Sequence, residues 1–485
     1  MEVRNLEPKA LWNHFSDLNA VPRASKKEAR VITFMLEFGQ QLGLETLKDQ
    51  VGNVVIKKPA SPGMENRQTV IIQSHLDMVH QKNGDTVFDF DHQGIEMFVD
   101  QDWVKAKGTT LGADNGIGVA TIMSLLAATD LVHPPLEAMF TIDEETGMTG
   151  AKQLDPLNFS GKILLNLDTE EDDELTIGCA GGLDTNSLYT YTEENLQPGS
   201  IACEITIKGL LGGHSGMDIH KGRGNANKLM NRLLYTLFGS LNYHLASIDG
   251  GSLRNAIPRE SRAVVVLAGT DRAAFLSAVE NIGALLKEEY KTVEPGMQVL
   301  VSESTLPEKV MGKTDLKKLL NAVYALPNGV FRMSPDIEDL VEASSNLARL
   351  IVKDGQFITQ SLQRSSVEST KLDVATAVKA GLENMGCEIS QSGDYPGWKP
   401  DPDSDILRLM VKLYQDTFGK EPKVEACHAG LECGILGSHL PGLDMISFGP
   451  TIRGAHSPDE RVQISSVQKF WAYLLAVLKE IPAAG

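Results

Sequence analysis

The chain has 485 residues, a formal net charge of −19, and 42% hydrophobic and 22% charged residues. That balance is ordinary for a globular protein, and the length exceeds what one hydrophobic core usually supports. So acidic a chain lacks the basic footprint that phosphate backbones need, which argues against nucleic-acid partners and fits cations or small molecules.

No apolar run is long enough to span a bilayer, so no membrane partner is expected. The opening MEVRNLEPKALWNHFSDL carries acids and lacks the apolar segment of an export signal. The five cysteines (Cys179, Cys203, Cys387, Cys427 and Cys433) are odd in number and scattered. Reduced thiols in the cytoplasm are the expectation.

In chain order, helical apolar spacing predicts helices over 9–19 and 26–42, with Ser25 a candidate cap for the second. Two short strands around Val51-Gly52-Asn53 come next. The run Val70-Ile71-Ile72 reads as a strand buried on both faces, ending in the polar group Gln73, Ser74, His75 and Asp77. A long polar loop over 81–108 leads to LGADNGIGVATIMSLL, helical from Ile117 onward with Asp114 just before it. Apolar strands over 136–142 and 162–167 finish in Asp143-Glu144-Glu145 and in Asp168. Three strands thus deliver acids to one expected edge, where α/β sheets hold ligands.

A boundary is expected near 181–185. Beyond it strands and helices follow an α+β order in two rounds, 203–290 and 316–387. The Pro- and Gly-containing run DYPGWKPDPDSD reads as a linker, after which the α/β style resumes to the C-terminus. The expected fold is therefore α/β: a discontinuous domain with a mixed sheet flanked by helices, formed by 1–184 and 395–485. An α+β domain is inserted over 185–394, with two α+β halves an open arrangement.

His75 and Asp77 are two residues apart and point the same way in an extended chain. They suit a metal ligand and the carboxylate that orients it, or a strand-end histidine satisfied by a neighbouring acid. Asp114 reads as a ligand or as a helix cap. Glu144-Glu145 reads as a proton acceptor beside a metal ligand, or as a solvated acidic turn. His214 in GLLGGHSGMDIH lies among glycines at a turn, and His456 in GAHSPD lies in a loop. LGADNGIG lacks the order of a dinucleotide fingerprint, and Pro307 stands where the first glycine of a phosphate loop ending Gly312-Lys313-Thr314 belongs.

Together these make an ordered set: H-x-D, G-x-D-N-G, E-E-x-G, a strand-end Asp, and a C-terminal G-x-H. With HLDMV, KGTTLGADNGIG, GGHSG, LRNAIPRE, HAGLECG and GPTIRGAHSPDE, the whole chain resembles the M20 family of co-catalytic zinc peptidases and deacylases. The resemblance implies two zinc ions, with cobalt or manganese as substitutes. It implies Asp114 as the bridging ligand, His75 and Asp168 completing one site, and Glu145 and His456 the other. It further implies a cis peptide after Asp114, Asp77 orienting His75, Glu144 as general base, and His214 as the oxyanion donor. The inserted domain would be a lid, and Asn255, Arg364 and backbone near Gly430 would clamp a substrate carboxylate. The implied activity is hydrolysis of dipeptides, Xaa-His and others. An N-acyl amino acid deacylase on the same scaffold and a non-catalytic amino-acid or metal-binding protein are the alternatives. An exposed sheet edge in the inserted domain leaves room for a homodimer.

Overall fold

The computed structural model describes residues 2–484, and the chain divides into two compact units. The first comprises Met1–Gly178, Trp398–Ala426 and Leu431–Gly485; the second comprises Cys179–Gly397 with Cys427–Gly430. The expected boundary near 181–185 lies inside a continuous strand, Gly181–Thr190. The brief return of Cys427–Gly430 to the second unit has no counterpart in composition or periodicity.

The first unit is built on an eight-stranded mixed sheet. Its centre holds Leu136–Thr141, Val70–His75, Ile163–Asn166 and Asp444–Ser447, paired in parallel in that order. Every residue of Val70–His75 is buried, as expected of a parallel strand covered on both faces. The outer hairpin Glu45–Lys48 and Val54–Lys58 adds antiparallel to this core. Because the four central strands run the same way, His75, the turn after Thr141 and the segment after Asn166 emerge at one edge.

Helix Ala113–Ala127 packs against Val70–His75 and against helix Lys9–Asn19. Gly118 allows the close approach, since a Cβ there would lie 2.3 Å from Ser74 Oγ and 2.9 Å from the Leu167 carbonyl. The predicted loop over 81–108 holds a hairpin, Met97–Asp100 with Trp103–Ala106. Through Trp103–Ala106 it joins Arg461–Gln463, itself paired with Ile452–Arg453, in a four-stranded sheet. That small sheet presents the loop bearing His456. The second predicted helix starts later than expected, at Ala29, because the Ser25 hydroxyl bonds Asp77 Oδ2 at 2.8 Å instead of capping.

In the second unit a nine-stranded sheet carries both α+β rounds. Tyr243–Gly251 of the first round pairs antiparallel with Val341–Lys353 of the second, from Ile248↔Val352 to Gly251↔Arg349. One apolar core also unites the helices of both rounds, with Leu233 and Phe275 beside Leu320 and Leu382. Among the described residues no helix is long and apolar enough to cross a membrane.

Candidate metal centre

The parallel strands of the first unit deliver their acids and one imidazole to a single cluster. His75 is 1% exposed. Its Nε2 lies 3.2 Å from Asp114 Oδ1 and 3.5 Å from Asp168 Oδ1. The other oxygen of Asp114, Oδ2, lies 3.2 Å from His456 Nε2, which is also 3.0 Å from Glu145 Oε2. Asp114 therefore stands between two half-sites, each completed by one imidazole and one further carboxylate. Its backbone is non-helical within helix Ala113–Ala127, the peptide to Asn115 is cis, and Gly112 rather than Asp114 occupies the cap position. The capping alternative for Asp114 does not hold.

Behind these groups Asp77 does two jobs. His75 Nδ1 faces the Asp77 carbonyl at 3.1 Å and its carboxylate at 3.4 Å. The same carboxylate accepts the backbone N–H of Glu144 at 3.0 Å and of Glu145 at 3.3 Å. One buried acid thus sets the imidazole and the acidic turn together, the outer support that ligand groups commonly have.

The electrostatics are those of a cation site. Burial raises the carboxyls of Glu145 and Asp168, with Asp114 adding to each. Burial opposes ionisation of Asp114 as well, but His456 and His75 hold its carboxyl well below the usual range. Burial alone would lower His75, yet Asp168, Asp114 and Asp77 raise it well above an ordinary imidazole. Asp114 and Glu145 push His456 up to about 11. Glu145 Oε1 and Asp168 Oδ1 are buried without a hydrogen-bond partner, and orphaned buried acceptors of this kind demand an explanation. Imidazole and carboxylate donors with spare oxygens fit divalent cations such as zinc, which would also displace the imidazole protons.

Two supporting acids escaped the sequence reading although they lie in quoted motifs. Glu432, fully buried, takes hydrogen bonds at Oε2 from Gln73 Nε2 at 2.7 Å and Thr141 Oγ1 at 2.6 Å, and burial pushes it up to about 7. Glu460 binds the backbone before Asp114. A second carboxylate group, Glu28, Asp77 and Asp143, is already supplied with donors: Lys26, Thr146 and Thr149 all bond Asp143.

His214, Asn255, Arg364 and Gly430 fall in the second unit. There the Asn255 carbonyl accepts from Ser215 N at 2.8 Å. Arg364, 5% exposed, donates Nε to Ser215 Oγ at 3.4 Å and Nη1 to the Tyr395 hydroxyl at 2.9 Å. Among the described residues no carboxylate is paired with it. Gly430 closes the short run in which the carbonyls of Cys427 and Ala429 accept from Ala180 N at 3.0 and 2.9 Å. His214 Nδ1 accepts the N–H of Gly216 at 3.2 Å and of Met217 at 3.1 Å, which leaves the proton of the neutral ring on Nε2. Burial and Arg364 lower this imidazole to about 4, so it is neutral at physiological pH.

Comparison with known proteins places the chain in a family. The profile of peptidase family M20/M25/M40 matches residues 71–480. The cytosol non-specific dipeptidase of Escherichia coli K12 is 40% identical over 482 residues, covering 99% of each chain. The crystal structure of aminoacylhistidine dipeptidase from Vibrio alginolyticus superposes with a TM-score of 0.94 at 42% identity, covering 100% of this chain and 99% of that one. Aminopeptidase PepT from Bacillus cereus, at 15% identity and a TM-score of 0.57 over 98% of this chain and 99% of that one, shares the fold.

Proposed function

The chain belongs to peptidase family M20/M25/M40, and from that premise we propose that it is a two-metal dipeptidase of the cytoplasm acting on Xaa-His and other dipeptides. The observation that carries the reading is the straddling of Asp114, whose two oxygens face His75 and His456 at 3.2 Å each. His75, Asp114 and Asp168 would hold one cation, and Asp114, Glu145 and His456 the other, zinc being the natural occupant of such donors and cobalt or manganese substitutes. Bound there, a cation pair supplies Lewis acidity and a nucleophile at neutral pH.

Glu144 takes the proton of the attacking water and passes it to the leaving amine. Burial holds its carboxyl well above the usual range, with Asp168, Glu432 and Glu145 adding to it and His75 opposing. A carboxyl so placed holds the proton it has taken and gives it to the amine nitrogen as the C–N bond breaks. Asp77 fixes both the His75 ring and the turn carrying Glu144. The second unit serves as the lid. His214, with Nε2–H as its donor, stabilises the developing oxyanion. Arg364, with Asn255 and backbone near Gly430, receives the substrate's terminal carboxylate, a group whose planar pair of oxygens matches a guanidinium. A longer peptide would leave that buried cation without its partner, which favours dipeptides.

The Escherichia coli and Vibrio alginolyticus relatives are named dipeptidases, so the deacylase alternative is not favoured. Metal analysis of the purified protein with a dipeptide panel, before and after chelation, tests the reading. Two divalent ions per chain and turnover of Ala-His that is lost on chelation and regained with zinc are expected. Hydrolysis of N-acetyl amino acids alone, or turnover that survives complete metal removal, would overturn it.

A further inference from the structure

The loop that delivers Asp114 is gripped from two sides by buried charges outside the set His75, Asp114, Glu145, Asp168 and His456. Glu460 lies four residues after His456 and is 2% exposed. Its Oε2 accepts the backbone N–H of Leu111 at 2.7 Å and of Gly112 at 2.9 Å, and its Oε1 accepts those of Ala113 at 2.7 Å and Asp114 at 3.2 Å. One carboxylate thus takes four consecutive amides, which fixes the peptide planes leading into Asp114 and so the direction of its side chain. Burial pushes the Glu460 carboxyl up to about 7, while the amides of Gly112, Asp114 and Leu111 favour its ionised form, with which their bonds are strongest.

From the other side comes Arg23, 1% exposed. Its Nη2 donates to the Gly112 carbonyl at 2.5 Å and to Asn19 Oδ1 at 3.1 Å, and its Nη1 donates to the carbonyls of Leu76 and Asp77, each at 3.1 Å. Asn19 Nδ2 donates to the Leu111 carbonyl at 2.9 Å. A Cβ at Gly112 or at Gly116 would come within 2.5 Å of Arg23 Nη2, so this strut requires both glycines. Glu460 therefore ties the His456 loop to the Asp114 loop, and Arg23 ties the Asp114 loop to the segment following His75.

We propose that Glu460 is a positioning residue which, with Arg23, locks the His75, Asp114 and His456 segments into one frame and holds the Asp114 carboxylate astride both cation positions. The inference rests on the two-cation reading given above. Replacing the carboxylate by an amide leaves one acceptor oxygen and turns donors toward donors. Asp114 then loses its fixed direction while every ligand side chain remains.

The test is zinc titration of the full-length apoprotein by chelator competition, native against E460Q, together with thermal melting of both apoproteins. Loss of an outer support typically weakens metal binding by roughly 10–100-fold. A loss of that order is expected for the more weakly held zinc of E460Q, with the circular dichroism spectrum retained. Unchanged affinity for both zinc ions in folded E460Q, whatever its melting point, would show a purely structural role and overturn the proposal. Native protein that takes up only one zinc would instead defeat the two-cation reading, and this inference with it. Should E460Q fail to fold, Asn19→Ala, which removes the bond to Leu111 and the acceptor for Arg23, is titrated in the same way. Weakened zinc binding there supports the frame, and unchanged binding overturns it.

Discussion

Two pairs of histidines show how differently the two units are charged. His75 and His456 of the first unit are surrounded by carboxylates that drive both imidazoles upward, His456 to about 11. His214 and His428 of the second unit are driven down, to about 4 and about 3, by burial and then by Arg364. The same side chain thus meets a carboxylate-rich surrounding in one place and a buried one beside a guanidinium in the other. The proposed reaction uses both fields, an acidic cluster for cations and Arg364 for a substrate carboxylate, and each is carried by a different unit of the chain. Strongly shifted groups of this kind cluster at functional sites, which is what the proposed roles of the two clusters rest on.

The largest effect that can sharpen this contrast lies in the acidic cluster. Glu144→Ala should lower kcat by roughly 10²–10⁴-fold, the usual cost of removing a general base, while zinc content by elemental analysis stays unchanged. Full activity in that variant would remove Glu144 from the mechanism.

A smaller effect is expected in the cationic cluster. A bond to a charged group contributes about 1.5–3 kcal/mol. Arg364→Ala should therefore lower kcat/KM for a dipeptide by roughly ten- to hundredfold. The corresponding dipeptide amide, which carries no terminal carboxylate, should be affected far less. Equal losses on both substrates would break the anion-site reading.

The smallest effect is thermodynamic. His428, 6% exposed with Nε2 at 2.8 Å from the Ser344 hydroxyl, stays neutral in the folded protein down to about 3, whereas an unfolded histidine takes its proton near 6.5. Below that pH the unfolded chain binds a proton that the native one refuses. Its contribution to stability is therefore complete above pH 6.5 and declines as pH falls from there toward 3. Urea denaturation across this range should show a shallower acid-side loss in His428→Gln than in the native protein, and identical slopes would contradict the burial of a neutral ring.

Much of the catalytic half was readable from one dimension. Strands such as Val70–His75 announce themselves by a buried β-branched run followed by an abrupt change to polar residues, and the acids at their ends share an edge because parallel strands point one way. The α/β order, the inserted α+β layer and the order of H-x-D, D-N-G and E-E were all local or periodic, so spacing alone carried them. The inner hairpin of the 81–108 segment was not readable, since four-residue strands such as Met97–Asp100 are too short for a period to show.

What only the tertiary structure decided depends on contacts between residues far apart in the chain. The Asp77 carboxylate takes both the His75 ring and the Glu144 amide, and Glu460 takes four amides from a loop some three hundred and fifty residues earlier. A buried acid looks like a solvated one until its partners are known, because only burial makes its pairing obligatory. The union of the two α+β rounds in one sheet rests likewise on Ile248↔Val352, a pairing that no local pattern specifies. Residue types and their order were written in the sequence; which charges face one another was settled by folding, because Coulomb and hydrogen-bond energies depend on distance in space and not on separation along the chain.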